Sequence, residues 1–494
     1  MAQKLRRKET TVYNIEAIAS TYFLEKELSK KDIRSEMRTS MTPQQTDVAI
    51  VGLGPAGIGV VHRLLEQDTD FDIACFDLGP RPEEKNCAVL NDAGCIRRTG
   101  CHILTGFGGS SLLSGGKLST LPAGDSLIDI TEDTNDVERT ITEALAFFND
   151  YLAIAEPTIS PEEIEAHRLR FEDNGFDLNY YDAHVMIESE EKIRQAYCEM
   201  CKDLESARTS FHFNTKVVRI EETEDHFTLY TTNSRGEEEK CVCNNIILGV
   251  GLSGDVLLEN LQRQFDIQTK PSKLEMGVRL EFPRDVFPEI DQGHKDLKLH
   301  RGNCRTFCVC KGGQLAPYFH DSMSLLDGHV DRTNLTDFTN LGLRLRLPSS
   351  KDNDRIYSVI RENYLEATSG IPIRESYTSY VGNANKDIMT RDESSINYWK
   401  PGDINNLFPE KYAEELRQNV IKFVDEVIPE KRHSEVNVYA PGLYYPGFEF
   451  EVNRNFEVSD SMYIIGEGTG QFRGILQAFS SGLLCAESIA EKLQ

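Results

Sequence analysis

Residues 52–57, Gly-Leu-Gly-Pro-Ala-Gly, have the spacing that holds a pyrophosphate against the start of a helix. Gly52 permits a tight turn, Gly54 lets the backbone approach two phosphates, and Gly57 lets the helix pack closely on its strand. On its own this pattern is weak. Here an apolar run at 48–51 precedes it, as in a buried parallel strand, and a helical stretch follows from 56 to about 67. A second strand reads over 71–77 and ends on Asp77, 20 residues after Gly57, where an acid accepts hydrogen bonds from ribose hydroxyls. Strand, glycine turn, helix and terminal acid together define a dinucleotide site comprising Gly52, Gly54, Pro55, Ala56, Gly57, Asp77 and the adjoining Leu78. The Pro-Ala pair inside the motif favours FAD over NAD.

Three further stretches point to the same ligand. Residues 106–117, GFGGSSLLSGGK, hold more glycines and hydroxyls than a simple connection needs. Gly108, Gly109, Ser110, Gly115 and Gly116 are expected to pass close to the flavin and pyrophosphate, with Lys117 supplying a charge. The run 247–254, ILGVGLSG, contains a second apparent G-x-G-x-x-G. No strand ending in an acid follows at the right distance, so a separate NAD(P)H domain is rejected. Gly249 and Gly251 are instead assigned to the adenine side of the cofactor, and Val218 joins the same cofactor-binding set. Near the C-terminus, 462–470 reads as a strand leading into Gly466-Glu467-Gly468, followed by Gly474-Ile475 and a small-residue helix. Glu467 is placed to bond ribityl hydroxyls, and the helix opened by Gly474 and Ile475 to stabilise a reduced flavin ring through its N-terminus.

Taken in order, VGLGPAG at 51–57, GFGGSSLLSGGKL at 106–118, ILGVGLSGD at 247–255, MGVRLEFP at 276–283, TFCVCKGGQ at 306–314 and GEGTGQFRGILQAFSSG at 466–482 resemble a family of FAD-dependent dehydrogenases with the glutathione-reductase-type fold. The resemblance spans about 50 to 490. It implies FAD and redox chemistry, and a discontinuous cofactor domain with an inserted substrate domain starting near Met276; it implies no particular substrate. Two features depart from it. Position 467 is Glu where Asp is common, and 324–334, SLLDGHVDRTN, lacks the Asn-Gly-Met-Ser type of pattern.

These motifs need elements to hold them. The expected class is α/β: a discontinuous Rossmann-like FAD-binding domain, an inserted mixed α+β substrate domain and an N-terminal helical extension. The divisions are 1–43 for the extension, 44–275 for the first part of the FAD domain with a helical insertion at about 130–205, 276–440 for the substrate domain and 441–494 for the return to the FAD domain. Antiparallel strands are expected at 211–220 and 227–232, with 240–248 rejoining the parallel sheet. A chain of 494 residues is long enough for more than one core.

Composition narrows the classes. With 80 acidic against 54 basic residues the net charge is −26, which disfavours a broad nucleic-acid surface. No apolar run reaches the ~18–20 residues a membrane span needs, and no secretory signal is read at the start. Twelve cysteines in such a chain read as reduced thiols, so the cytoplasm is expected. Cys198-x-x-Cys201 and Cys241-x-Cys243 lack zinc spacing, and no histidine cluster suggests a metal. Cys308 and Cys310 alternate along a strand and are expected to share a face. Arg279 and Glu281 do likewise, an ion pair being favoured over an anchor for an acidic substrate. The reading is an FAD-dependent oxidoreductase passing a hydride between flavin N5 and a small organic substrate, with no catalytic acid or base assigned. Its electron partner and oligomeric state stay open. A flavin monooxygenase, an FAD-dependent double-bond reductase and a non-catalytic flavin-binding protein are the alternatives.

Overall fold

In a computed structural model of the chain, the described residues are 44–493 apart from 68–69, 92, 98–99, 114, 158–159, 182, 287–295 and 383–392. The helical extension expected over 1–43 lies outside them.

The apolar run at 48–51 forms the end of a strand, Gln44–Val51, whose last four residues are buried. It pairs in parallel with Ile73–Phe76 on one side and with Glu238–Leu248 on the other. Thr209–His212 and Met462–Ile464 extend the parallel set outward. Residues facing solvent on neither side explain why these strands read as continuous hydrophobic runs rather than alternations. Register brings Val51 level with Phe76 and with Leu248, and Leu248 level with Ile464. The residues that follow these four therefore emerge together at the carboxyl edge of the sheet, where open α/β sheets bind ligands. They are Gly52, Asp77, Gly249 and Ile465.

The strand expected over 211–220 is two strands. Asn214 adopts a positive φ of 52° and its N–H donates to Gly79 O, so the chain breaks between Thr209–His212 and Thr215–Glu222. The second piece pairs antiparallel with Phe227–Asn233, which pairs with Glu238–Leu248 before that strand enters the parallel sheet.

A second sheet of eight strands lies beyond. Its order is Lys400–Pro401, Ile373–Ser376, Asn437–Tyr444, Leu274–Pro283, Phe338–Leu347, Cys304–Lys311, Asp296–Arg301 and Asp177–Tyr181. The segment expected as a helical insertion at 130–205 does hold helices, among them Thr134–Tyr151 and Glu190–Leu204, but it also contributes the edge strand Asp177–Tyr181. Met276, Val278, Leu280, Leu341, Leu343 and Leu345 alternate onto one face of this sheet and join a core shared with Val48, Ile50 and Ile247 of the first. Glu275, Arg279, Glu281, Asn340 and Arg344 point to the other face, yet these five are buried too. The hairpin of Gln314–His320 and Met323–His329 covers part of it: Asp327 pairs with Arg279 at 3.0 Å.

The helix after the glycine turn, Pro55–Glu66, packs along the C-terminal helix Ile475–Leu493 at backbone contact. A Cβ on Gly59 would lie 2.3 Å from Phe479 O, and one on Gly482 would lie 2.1 Å from Ala56 O. Phe147 and Phe148 wedge against Phe479 with ring centroids 4.8 and 5.6 Å away.

Gly482→Ala is therefore expected to destabilise the protein by about 1–3 kcal/mol or more, because backbone must move to admit the methyl group. A urea-unfolding midpoint measures this. Gly94→Ala, where an added Cβ meets nothing within 4 Å, is expected to leave the midpoint unchanged. Equal midpoints for the two variants would refute the packing argument.

Candidate cofactor site

The first glycine turn is built as the spacing predicts, and the reasons are steric. Gly52 has φ of 100°, and a Cβ there would sit 2.4 Å from Gly249 O. A Cβ on Gly57 would sit 2.0 Å from Gly52 O. Gly54 is the N-cap of the helix, Pro55 fills its first position, no side chain caps it and no acid stands in its first turn. The positive end of the helix dipole is thus left without an acid or side-chain cap from the helix's own first turn. Ala56 is buried beneath Gly466, whose added Cβ would approach the Ala56 Cβ to 2.9 Å.

The second glycine stretch meets the first. Gly108 N–H donates to Leu53 O at 2.8 Å, and a Cβ on Gly109 would lie 3.1 Å from Gly54 Cα. Backbone faces backbone there, with no side chain between. Ser110 is exposed beside this contact, whereas Ser111 is buried and bonded by Tyr197 at 2.7 Å. Gly115, Gly116 and Lys117 lead elsewhere. An added Cβ on Gly115 would meet Val330 N at 3.2 Å and one on Gly116 would meet Met186 at 2.9 Å, while Lys117 Nζ donates to Val309 O in the second sheet. The stretch divides into a part at the first turn and a part against the second sheet.

Asp77 directly follows its strand, at the carboxyl edge of the sheet, but its carboxylate is largely engaged by the protein. One oxygen accepts from Leu53 N–H at 2.6 Å, and the other accepts from Gly79 and Gly106 N–H at 2.8 and 2.7 Å. These three bonds tie the first turn to the second glycine stretch. They use most of the acceptor sites a ribose would need. Burial raises the Asp77 pKa, and the same three amides oppose that shift. Leu78 is half-buried against Gly100.

Lys85 is a residue the sequence reading missed. It is 1% exposed, and its ammonium donates to the carbonyls of Phe107 and Gly109. Burial lowers its pKa from 10.5 to about 7, with the Asp77 charge opposing. A single lysine in a polar segment gives no sequence signal of such a role.

From the other half of the sheet, Gly249 N–H donates to Val51 O at 2.8 Å. Gly251 has φ of 55° and open space where its side chain would be. The helix that follows, Asp255–Gln264, leads to the short antiparallel strand Thr269–Pro271, so no second parallel nucleotide unit forms there. Val218 is exposed at a register slip between Val217 and Arg219. Gly466 N–H donates to Ser481 Oγ at 3.0 Å. Glu467 turns towards Tyr444, with which it shares a hydrogen bond, and burial raises its pKa against the opposing charge of Arg473. Gly474 has φ of 130° and opens the C-terminal helix at Ile475. Gln477, in its first turn, donates to Ser119 O and Ala123 O at 2.9 and 2.7 Å, and its Oε1 is buried with no hydrogen-bond partner among the described residues.

Of two strand-based expectations, one is corrected and the other, an ion pair at Arg279, is met with Asp327 as the partner. Cys308 and Cys310 do not share a face by alternation, because a bulge falls between Phe307 and Cys310 and Cys308 takes a positive φ of 44°. Arg279 and Glu281 are not ion-paired with each other. Arg279 bonds Asn340, Asp327 and Cys308 O, and Glu281 accepts from Ser395 and Tyr439. Among the described residues, no group of three or more His, Cys, Asp or Glu is placed to hold a metal ion, and no helix is long and apolar enough to cross a membrane.

The helix N-terminus at Gly54, with no side-chain cap and no acid in its first turn, suits a pyrophosphate, and Gln477 Oε1 is an acceptor lacking a donor among the described residues.

No family model matches the chain. An uncharacterized protein of Clostridium beijerinckii is 22% identical over 313 residues, covering 57% of this chain; the chain spans 57% of that relative's length. Among solved structures, a flavoprotein/dehydrogenase from Cytophaga hutchinsonii aligns over 91% of this chain and 79% of its own, with 11% identity and a TM-score of 0.40. Glycine oxidase from Geobacillus kaustophilus aligns over 91% and 95%, with 12% identity and a TM-score of 0.38. The p-nitrophenol 4-monooxygenase of Pseudomonas putida aligns over 91% and 79%, with 10% identity and a TM-score of 0.37. Similarity this low carries no chemistry across to the present chain.

Lys85 gives a pH test. Above about pH 7 its folded form is neutral, whereas the unfolded chain keeps the proton up to about 10.5. The unfolded state then binds more protons, so stability contributed by this group rises with pH across that window. Lys85→Met is expected to flatten the rise, measured as the urea-unfolding free energy at several pH values from neutral to mildly alkaline. Parallel wild-type and variant curves would refute it.

Proposed function

We propose that this chain is an FAD-dependent oxidoreductase acting on a small organic substrate. Supporting this reading above all is the meeting, at one sheet edge, of an uncapped helix N-terminus with glycines from sites far apart in the sequence. Gly52, Gly54, Gly57, Gly109, Gly249 and Gly466 approach within van der Waals reach of one another or of the helix they surround. A structural turn needs one or two such glycines; this many leaves backbone N–H groups and the helix dipole facing a ligand.

In this reading, 44–275 and 441–494 hold the cofactor and 276–440 frames the substrate. The pyrophosphate is held at Gly54, Pro55, Ala56 and Gly57, with Gly108, Gly109 and Ser110 across from it. Gly249 and Gly251 border the adenosine half. Asp77 positions the two glycine stretches against each other, and Lys85 clamps the second. Glu467, Gly474 and Ile475 flank the ring. Bound FAD supplies hydride transfer at its N5. The protein contributes orientation: Gln477 fixes the start of the C-terminal helix, and the buried Tyr439–Glu281–Ser395 set holds the second sheet's polar face in place.

The purified full chain is expected to be yellow, to release FAD on denaturation, and to bleach with dithionite and recover in air. Gly54→Asp separates cofactor binding from folding. Asp is a favoured N-cap, so the helix is expected to be as stable or slightly more so. A carboxylate at that point repels a pyrophosphate, and FAD affinity is expected to fall at least tenfold. Colourless protein that takes up no added FAD, or a Gly54→Asp variant that binds FAD normally, would overturn the reading.

A further inference from the structure

On the polar face of the second sheet, four arginines gather on one carboxylate. Glu275, 2% exposed, pairs with Arg473 and Arg305 at 2.8 Å each, with Arg346 at 3.5 Å and with Arg344 at 3.6 Å. These contacts hold its pKa well below the usual carboxylate range against the cost of burial. Arg344 is 3% exposed, while Arg346 reaches solvent. The guanidiniums of Arg344, Arg473 and Arg305 also ring Phe307, at 4.5, 4.9 and 5.6 Å from its centroid.

One carboxylate cannot satisfy four guanidiniums. Glu275 has about four acceptor positions, and each guanidinium offers five N–H donors. The Nε atoms of Arg305 and Arg344 are buried without a hydrogen-bond partner among the described residues. Leaving charged donors buried and unpaired is costly. Two other acids stand nearby. Asp327 is paired with Arg279, and Glu467, which faces Arg473, is hydrogen-bonded to Tyr444 with its pKa raised by burial. Arg344 is buried and Arg305 and Arg473 are 12% and 24% exposed, and this local excess of positive charge departs from the protein's net charge of −26.

The cluster also has a floor. Gly277 pairs with Gly442 across one strand boundary, and Gly342 pairs with Arg279 and Phe307, so three neighbouring positions on this face carry no side chain. A Cβ on Gly442 would sit 3.5 Å from Arg344 Nε. Arg473 directly precedes Gly474 and Ile475, which places the cluster at the start of the C-terminal helix.

We infer that Arg344, Arg305 and Arg473 form the anchoring subsite for an organic carboxylate substrate, its acid group filling the donors that Glu275 leaves unpaired and its carbon skeleton lying against Phe307. This assignment rests on the oxidoreductase reading for what happens to the substrate, though not for the binding itself. Glu275 already shows the chemistry. Arg305 and Arg473 each hold one of its oxygens, and an Nε–H with its neighbouring Nη–H is the second, side-on fork by which arginine grips a carboxylate.

Calorimetric titration of the full chain, with and without added FAD, tests the inference independently of the cofactor. The probes are succinate, benzoate and hexanoate, with their neutral amides, inorganic phosphate and sulfate as comparisons. At least one acid is expected to bind at millimolar concentration or below, its amide at least tenfold more weakly. Arg344→Met is expected to weaken that acid at least tenfold, and the solvent-reaching Arg346→Met less than threefold. If Arg344→Met fails to fold, Arg305→Met serves in its place. Binding of an acid by protein that takes up no FAD would sustain the subsite while removing the oxidoreductase reading. FAD-loaded protein that binds none of the three acids, or that binds phosphate or sulfate as tightly, would overturn the carboxylate subsite.

Discussion

Backbone touching backbone is the constraint on which this molecule depends. The first strand, its turn and the helix after it can adopt their positions only because Gly52 and Gly57 present no side chain where their chains cross. The same condition recurs a few residues on, where Gly59 and Gly482 let two helices meet at their main chains. Interiors are packed too tightly to absorb an added methyl group at such distances. Close approach also has an electrostatic consequence. It leaves the N-terminus of Pro55–Glu66 next to the loops after three other strands, and a helix N-terminus uncapped by its own side chains concentrates partial positive charge there.

Buried charge is handled in two different ways. Arg279 is fully enclosed, but Asn340, Asp327 and Cys308 O take up its donors, so it is a structural pin between sheet and hairpin. Such pairing offsets desolvation without leaving capacity for anything else. Lys85 follows the same rule with two carbonyls in place of a counter-ion, and its lowered pKa reflects what those neutral partners fail to offset. The arginines around Glu275 are different. Arg305 and Arg344 each keep a buried Nε–H with no partner among the described residues, and the proposed carboxylate subsite rests on that spare donor capacity beside Glu275.

The hairpin over the second sheet links these regions. It supplies Asp327 to Arg279 and places Tyr318 with its hydroxyl on Leu443 O, at 3.4 Å. By covering the Arg279–Glu281 end of the polar face, it leaves the Glu275 end to Arg473 and the C-terminal helix.

Local chemistry wrote part of this into the sequence. Glycine spacing after a buried strand declares a tight turn and a helix, because conformational permission and side-chain absence are properties of single residues. The alternation of Met276, Val278 and Leu280 with polar partners likewise declares a strand with two unlike faces. Other features could not be read in this way. Asp177–Tyr181 joins a sheet built mainly from residues about a hundred positions later, and Cys308 sits at a bulge that strand periodicity conceals. Gly115, Gly116 and Lys117 share a motif with Gly109 yet turn away from it, towards Val330, Met186 and Val309. Asp77 was legible as a strand-end acid, but not as one already holding three amides. The arginine cluster was invisible, since Glu275, Arg305, Arg344 and Arg473 are dispersed over two hundred residues and only antiparallel register and the docking of the last helix bring them together. Sequence determined what each segment is able to do; which segments meet was decided by packing, because long-range contact depends on how faces bury one another and not on any residue's own preference.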